Sequence, residues 1–269
     1  MLDHESLRSV VAPMVGYSEL AWRMMMRERG ATLCYTPMIN GSIFIRDSTH
    51  RSEEIQIHDK DRPLIVQFAA NNPELFYACG KYVEPICDAV DLNLGCPQNI
   101  ARKGRYGSFL QEDWQLINNI LRQASAALSL PVTCKIRILD TLEKSIDYAR
   151  MLERSGVSMI CVHGRTRDQK GQFMGLANWD FIKAIKQSVS IPIISNGNIR
   201  YHSDIKDCLD YTRADGVMVA EGCLYNPYIF EPKNKSMFCA AREYIQYASK
   251  YSTPLYFWRG HIFKLLIHA

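Results

Sequence analysis

Short apolar runs rich in β-branched residues recur along the chain, and most are separated by stretches with helical spacing. The runs are Val10–Val15, Leu33–Met38, Leu64–Ala69, Ala89–Gly95, Pro131–Ile138, Met159–Thr166, Ile191–Ile199 and Gly216–Gly222. Between them, Leu142–Ser155 and Asp180–Ser188 place apolar residues at i, i+3 and i+4, which predicts amphipathic helices. Strands alternating with helices imply parallel pairing, because parallel neighbours need a long crossover. Hydrophobicity that is continuous rather than alternating fits a sheet covered on both faces. Eight such units predict an α/β protein of the (β/α)8, or TIM, barrel class. An open doubly wound sheet is the rival, but no G-x-G-x-x-G follows the first run.

Polar, chemically capable residues stand where these buried strands should end: Gln67, then Asn93 and Cys96, Lys135 and Arg137, His163 and Arg165, Asn196-Gly197-Asn198, and Ala220-Glu221-Gly222. A lone example would be a satisfied polar group at a strand terminus. Repeated strand after strand, the pattern points to the carboxyl-end face of a barrel, where active sites form.

Cys96 sits in a turn made by Gly95 and Pro97, near Arg102, Lys103 and Arg105 in the sequence. Those cations would favour a thiolate, so the residue could serve as nucleophile or as proton donor, and spacing does not choose between them. The loops after the last two strands are the usual phosphate site of a barrel. With Lys135 and His163 nearby, a phosphorylated cofactor is expected there rather than ordinary turns. No G-x-x-x-x-G-K-[ST] occurs. The seven histidines lack metal-ligand spacing, so no metal is expected. The segments Gln98–Tyr106 and His163–Lys170 would ring the mouth with positive charge, either as solvated surface or as a seat for a phosphate backbone. Tyr17 or Tyr106 could stack on a splayed base.

Composition narrows the class. Of 269 residues, 47% are hydrophobic and 22% charged, which excludes a disordered or low-complexity chain. No apolar run is long enough to span a bilayer, and the first residues lack the pattern of a signal peptide. The nine cysteines form no C-x-x-C pair, so a reducing compartment is expected and the sequons at Asn40 and Asn234 read as accidental. The net charge of +4 is uneven: residues 232–269 carry Lys233, Lys235, Arg242, Lys250, Arg259 and Lys264 against Glu243 alone. That basic tail is either a solvated face or a surface for a polyanion.

Taken together, Ala12-Pro13-Met14-Val15, Tyr35-Thr36-Pro37-Met38, Gln67-Phe68-Ala69, Asp91–Pro97, Cys134–Arg137, Val162–Thr166, Asn196–Ile199 and Val219–Gly222 resemble the tRNA-dihydrouridine synthases. They match in order from about Val10 to Pro227, and finer details resemble the eukaryotic subgroup acting at positions 16 and 17 of the D-loop. The resemblance implies an FMN-binding barrel over residues 1–230 and, over 231–269, a basic helical segment, the incomplete start of a tRNA-binding helical domain. Helices are expected near Met237–Lys250 and Leu255–His268, with the apolar side of Leu255, Phe257, Trp258, Ile262, Leu265 and Leu266 left without its usual partners.

By the same resemblance, Pro13, Met14 and Val15 would pack on the flavin ring, and Gln67, Lys135 and His163 would hydrogen-bond it. Asn196, Gly197 and Asn198 with Ala220 and Glu221 would hold the phosphate, and Asn93 and Arg137 would orient the uracil. NADPH would be the reductant, and Cys96 would be the proton donor to C5, a general acid rather than an attacking thiolate. The expected partner is tRNA, with no membrane and no metal, for a monomer in the cytoplasm or also the nucleus. Two alternatives remain: an FMN barrel acting on a free pyrimidine, and a non-catalytic RNA-binding barrel.

Overall fold

Eight parallel strands close on themselves in the computed structural model, which describes residues 3–232 and 235–267. Lys233, Asn234 and His268, which enter the expectations above, lie outside the described residues. The strands are β1 (Ser9–Val11), β2 (Leu33–Tyr35), β3 (Ile39–Asn40), β4 (Leu64–Ala69), β5 (Ala89–Leu94), β6 (Val132–Arg137), β7 (Met159–His163), β8 (Ile193–Asn196) and β9 (Gly216–Val219). β1 pairs with β9 on one side and β2 on the other, and the β2–β4 ladder completes the barrel. The two-residue β3 is an extra bridge on β4. The fold is the expected (β/α)8 barrel.

The helices are α1 (Leu20–Glu28), α2 (Gly41–Arg46), α3 (Ser48–Glu54), α4 (Pro73–Val83), α5 (Asn99–Gly104), α6 (Trp114–Ala127), α7 (Leu142–Arg154), α8 (Trp179–Ser188), α9 (His202–Thr212), α10 (Glu221–Tyr225), α11 (Met237–Lys250) and α12 (Leu255–Leu266). Local chemistry explains their ends. Asn72 accepts from Leu75 N at the start of α4, whose first residue is Pro73, and Thr141 does the same for Lys144 N in α7, each filling a donor the helix cannot. Buried Ser145, Tyr148, Ala149 and Leu152 of α7 follow the helical period. Asn40, one of the sequons, caps α2 through its side chain.

The strands are shorter than their apolar runs. β1 ends at Val11 and β2 at Tyr35, before Pro13 and Pro37, because proline has no N–H for the ladder. The pleat then sorts the remaining residues. Ile65, Ala89, Met159, Cys161, Ile194 and Met218 fill the barrel interior. Two residues further along the same strands, on the same face by the alternation of a pleated strand, the interior becomes polar: Gln67, Asp91 with Asn93, His163 and Asn196.

Beyond the barrel, α11 and α12 pack on α1. Trp22, Met25 and Met26 share one cluster with Ala240, Ala241, Tyr244, Ala248 and Leu265, and Trp258, Ile262 and Leu266 pack against it. The expectation of an uncovered α12 is therefore corrected: most of its apolar side faces α1 and α11, while Leu255 remains exposed. No helix among the described residues is long and apolar enough to cross a membrane.

Candidate active site

A chain of hydrogen bonds crosses the barrel from β6 to the turn that carries Cys96. The Thr133 hydroxyl donates to Asp91 Oδ1 (2.6 Å), and Gln67 Nε2 donates to Asp91 Oδ2 (2.9 Å). Asn93 Nδ2 donates to Gln67 Oε1 (2.8 Å), and Asn93 Oδ1 accepts from Gly95 N (3.2 Å) and Cys96 N (2.9 Å). Burial pushes the Asp91 carboxyl up to about 6, against the pull of Thr133, Gln67 and Lys135. An ionised Asp91 can only accept, so it turns the Gln67 amide NH2 toward itself. That leaves Gln67 Oε1 facing Asn93, whose own oxygen then holds the cysteine turn. Asn93 thus grips Cys96 directly. The turn is closed from the other side by Gly107 at φ 65°, where a Cβ would stand 2.7 Å from Cys96 O.

The cations that reach Cys96 differ from those nearest in sequence. Arg102, Lys103 and Arg105 are exposed, whereas Lys135 and Arg137 lie within electrostatic reach of the Cys96 thiol. Lys135 Nζ donates to Asn196 Oδ1 (3.0 Å), and Asn196 Nδ2 donates to Met218 O (2.9 Å), so β6, β8 and β9 are tied together. Arg137 is anchored through Gly95 O (2.9 Å) and Thr166 O (2.8 Å). Desolvation lowers both, Arg137 to about 10. Burial, with Lys135, Arg137 and Arg165 around it, holds His163 well below the usual imidazole range. A neutral His163 whose Nε2 faces the donor-only guanidinium of Arg165 (3.0 Å) must accept there. Its proton therefore sits on Nδ1.

Beside this network lies a cavity of about 740 Å³, lined among others by His163, Arg165, Asn196, Gly197, Asn198, Arg200, Ala220 and Glu221. Gly197 has φ +117°, and a Cβ there would stand 2.6 Å from Ala177 Cβ. The backbone thus forms the wall where a side chain cannot stand. Asn198 does not offer its amide to the cavity: Oδ1 accepts from Arg165 Nη2 and Ala177 N, and Nδ2 donates to Ala177 O. The Glu221 carboxylate pairs with Lys264 of α12 at 3.3 Å. Both residues can face a ligand through backbone instead. Size, cationic lining and a glycine wall fit a phosphorylated cofactor such as FMN.

The expected residues therefore fall into two joined groups. His163, Asn196, Gly197, Asn198, Ala220 and Glu221 line the cavity, while Gln67, Asn93, Cys96, Lys135 and Arg137 form the adjoining network. Pro13 and Met14 are partly exposed and Val15 is exposed at the β1 end. Two expectations are corrected. Tyr106 is buried against Ala69, Ala101 and Cys96, so its ring is no open stacking platform; Tyr17 is half-buried and packs edge-on to His261 of α12 (5.3 Å). Arg165 turns inward, binding Gly175 O, while Arg102, Arg105, Arg167 and Lys170 line a separate groove of about 840 Å³ beside the mouth, together with Glu112, Asp113 and Asp168. Asp91, Thr133 and Arg200 were missed as site residues. For Asp91 the signal was a carboxylate in the middle of a mostly apolar strand run. Among the described residues no His/Cys/Asp/Glu group could hold a metal ion.

The closed barrel, with a cavity among the residues at the carboxyl ends of its strands, defines a class: a (β/α)8 barrel. The dihydrouridine synthase family profile matches residues 10–256, and the chain belongs to that family. It is 48% identical over 97% of its length to a rat protein named tRNA-dihydrouridine(16/17) synthase [NAD(P)(+)]-like, and 47% identical over 96% to the Saccharomyces cerevisiae tRNA-dihydrouridine(16/17) synthase [NAD(P)(+)]. A mouse tRNA-dihydrouridine(20a/20b) synthase [NAD(P)+]-like protein is 38% identical over 99% of the chain. The chain spans 60% of the rat relative, 64% of the yeast one and 82% of the mouse one. An Escherichia coli aldolase structure, YdjI, superposes with a TM-score of 0.51 at 12% identity, covering 97% of this chain and 91% of its own. That likeness concerns the fold alone.

Proposed function

We propose that this protein reduces uridine to 5,6-dihydrouridine in the D-loop of tRNA, at positions 16/17, using NADPH and FMN. The observation that carries the reading is the position of Cys96: a thiol in a turn held by Asn93, within electrostatic reach of the Lys135 that bonds Asn196 in the wall of a cation-lined cavity of cofactor size. The family and the names of its relatives support the substrate.

In this reading the backbone of Asn196–Asn198 and Ala220–Glu221 holds the flavin phosphate. Gln67, Lys135 and the Nδ1–H of His163 would hydrogen-bond the ring, and Pro13, Met14 and Val15 would pack on it. A flavin held there would supply the hydride for C6 of the uracil. Asn93 and Arg137 orient the base, and Cys96 donates the proton to C5. The base must leave its stack, which costs a few kcal/mol, and the pocket has to offset that cost through these contacts. The fixed turn around Cys96 matters because a general acid must lie within reach of the carbon it protonates.

The test is flavin content of the purified protein together with dihydrouridine formation on unmodified tRNA. Turnover of tRNA, with none of free uracil or dihydroorotate, is expected. Turnover of the free pyrimidine alone would instead establish a small-molecule oxidoreductase. A colourless protein that binds tRNA without reducing it would establish a binding barrel.

A further inference from the structure

α12 lies beside the place where the last strand, β9, pairs with the first, β1. There Ala12 N donates to Val219 O (2.9 Å), so the loops following the two strands are neighbours. One loop carries Pro13, Met14 and Val15. The other begins α10 with Glu221. Both are assigned above to the cofactor, and α12 touches both.

The contacts on the β1 side are buried. The turn Met14–Ser18 is closed by Tyr17 N donating to Met14 O (3.0 Å), and Ser18 Oγ donates to Met14 O (2.8 Å). Tyr17 lies directly against Gly260 of α12, where a Cβ would stand 3.1 Å from its ring. Next along the chain, Glu19 is 4% exposed and accepts from Tyr244 Oη of α11 (2.8 Å) and His261 Nε2 of α12 (3.0 Å). His261 is fully buried and stacks on Trp22 at 4.3 Å. A buried carboxylate whose side-chain partners among the described residues are these two cannot shift without being stranded, so α11 and α12 fix where Glu19, and with it the Met14–Ser18 turn, can stand.

The contacts on the β9 side come from the same face of α12, one turn on. Lys264 Nζ donates to Tyr225 Oη (2.8 Å) and to Glu221 Oε1 (3.3 Å). Residues three and four apart share a helix face, which is why Gly260, His261 and Lys264 can grip both loops at once.

We propose that α12 is a clamp on the cofactor site: Gly260 and His261 position the Met14–Ser18 turn, Lys264 positions Glu221–Tyr225, and together they set how long FMN stays bound. These are positioning residues, remote from the reacting atoms. The inference rests on the flavin reading of the cavity, and its test separates the two.

Release of FMN from diluted holoprotein, followed by flavin fluorescence, is compared for wild type, Lys264→Met, Lys264→Arg, His261→Ala and Lys206→Met. Lys206 pairs with Asp210 on the far-exposed face of α9 and controls for loss of a surface charge. Lys264→Met is expected to speed release roughly tenfold, on the scale of a lost charge-assisted hydrogen bond, with Lys264→Arg restoring retention and Lys206→Met unchanged. Amide hydrogen exchange on each full-length variant gives a second readout independent of flavin. Exchange should quicken at 221–225 in Lys264→Met and at 14–19 in His261→Ala, with the strands unaffected. Release and exchange equal to wild type in Lys264→Met, or an equal effect of Lys206→Met, would overturn the clamp even if His261→Ala fails to fold. A wild type that holds no FMN would defeat the cofactor reading, and the flavin role of the clamp with it.

Discussion

Asn93 and Gln67 are joined amide to amide, Nδ2 to Oε1 at 2.8 Å, and the oxygen left on Asn93 holds the backbone N–H of Cys96 at 2.9 Å. The position of the cysteine therefore depends on a side chain of the neighbouring strand β4, and through it on Asp91. The first prediction concerns the end of that chain. Replacing Cys96 with Ala should leave FMN binding and NADPH oxidation near wild type while dihydrouridine formation on tRNA falls by ~10²-fold or more, the scale of a lost general acid. Unchanged tRNA reduction would remove Cys96 from the mechanism.

Asp91 should reveal itself in the pH dependence of stability. Its carboxyl is pushed from an ordinary 3.8 up to about 6 in the folded protein. Between those values the unfolded chain ionises first, so this group's contribution to stability is intact below pH 4, declines as pH rises, and is lost above about 6. Asp91→Asn removes the titration and keeps the shape. Urea unfolding at several pH values should show the variant gaining on wild type between pH 4 and 7, by on the order of 2–3 kcal/mol. Parallel curves for the two proteins would contradict the shift.

Gly197 is a position where only glycine serves. At φ +117°, and with Ala177 Cβ 2.6 Å from any added Cβ, Gly197→Ala should cost about 1–3 kcal/mol and release FMN more readily. Unaltered thermal stability and flavin content would show that the loop yields freely.

Lys135 and His163 face the same space from β6 and β7. Lys135→Ala removes the donor to Asn196 Oδ1, and His163→Ala removes the imidazole that Arg165 now contacts. Each should lower the flavin carried through purification, as expected when a polar partner is lost from a largely buried site. Full flavination of both variants would mean that the cofactor is held elsewhere.

The basic groove gives a prediction about tRNA. Arg102 and Arg105 line it, and both are exposed. If phosphates lie there, Arg102→Ala with Arg105→Ala should weaken tRNA binding and lower the slope of log affinity against log salt by roughly 0.7–0.9 per contact. FMN content should not change. An unchanged slope in a filter-binding titration would place the RNA backbone on another surface.

What was legible in the sequence was whatever local pattern and chemistry decide. The parallel barrel could be read because strands covered on both faces lack a regular apolar–polar alternation: Leu64–Ala69 and Ala89–Leu94 are apolar on both faces and broken only by Gln67, Asp91 and Asn93. The helices at 142–155 and 180–188 could be read from the helical spacing of their apolar residues. Cys96, Lys135 and Asn196 were visible as polar intrusions at strand ends. What only the tertiary structure decided was facing and pairing. Whether Arg165 or Arg105 points inward depends on the pleat and on loop closure, not on the run of charges in which each sits. The link from Asp91 through Gln67 to Asn93 needs β4 and β5 in register, and the grip of His261 on Glu19 joins residues 242 apart. A buried polar group must find its partner wherever the fold brings one, so the sequence marks which groups need partners and the closed barrel determines which ones they get.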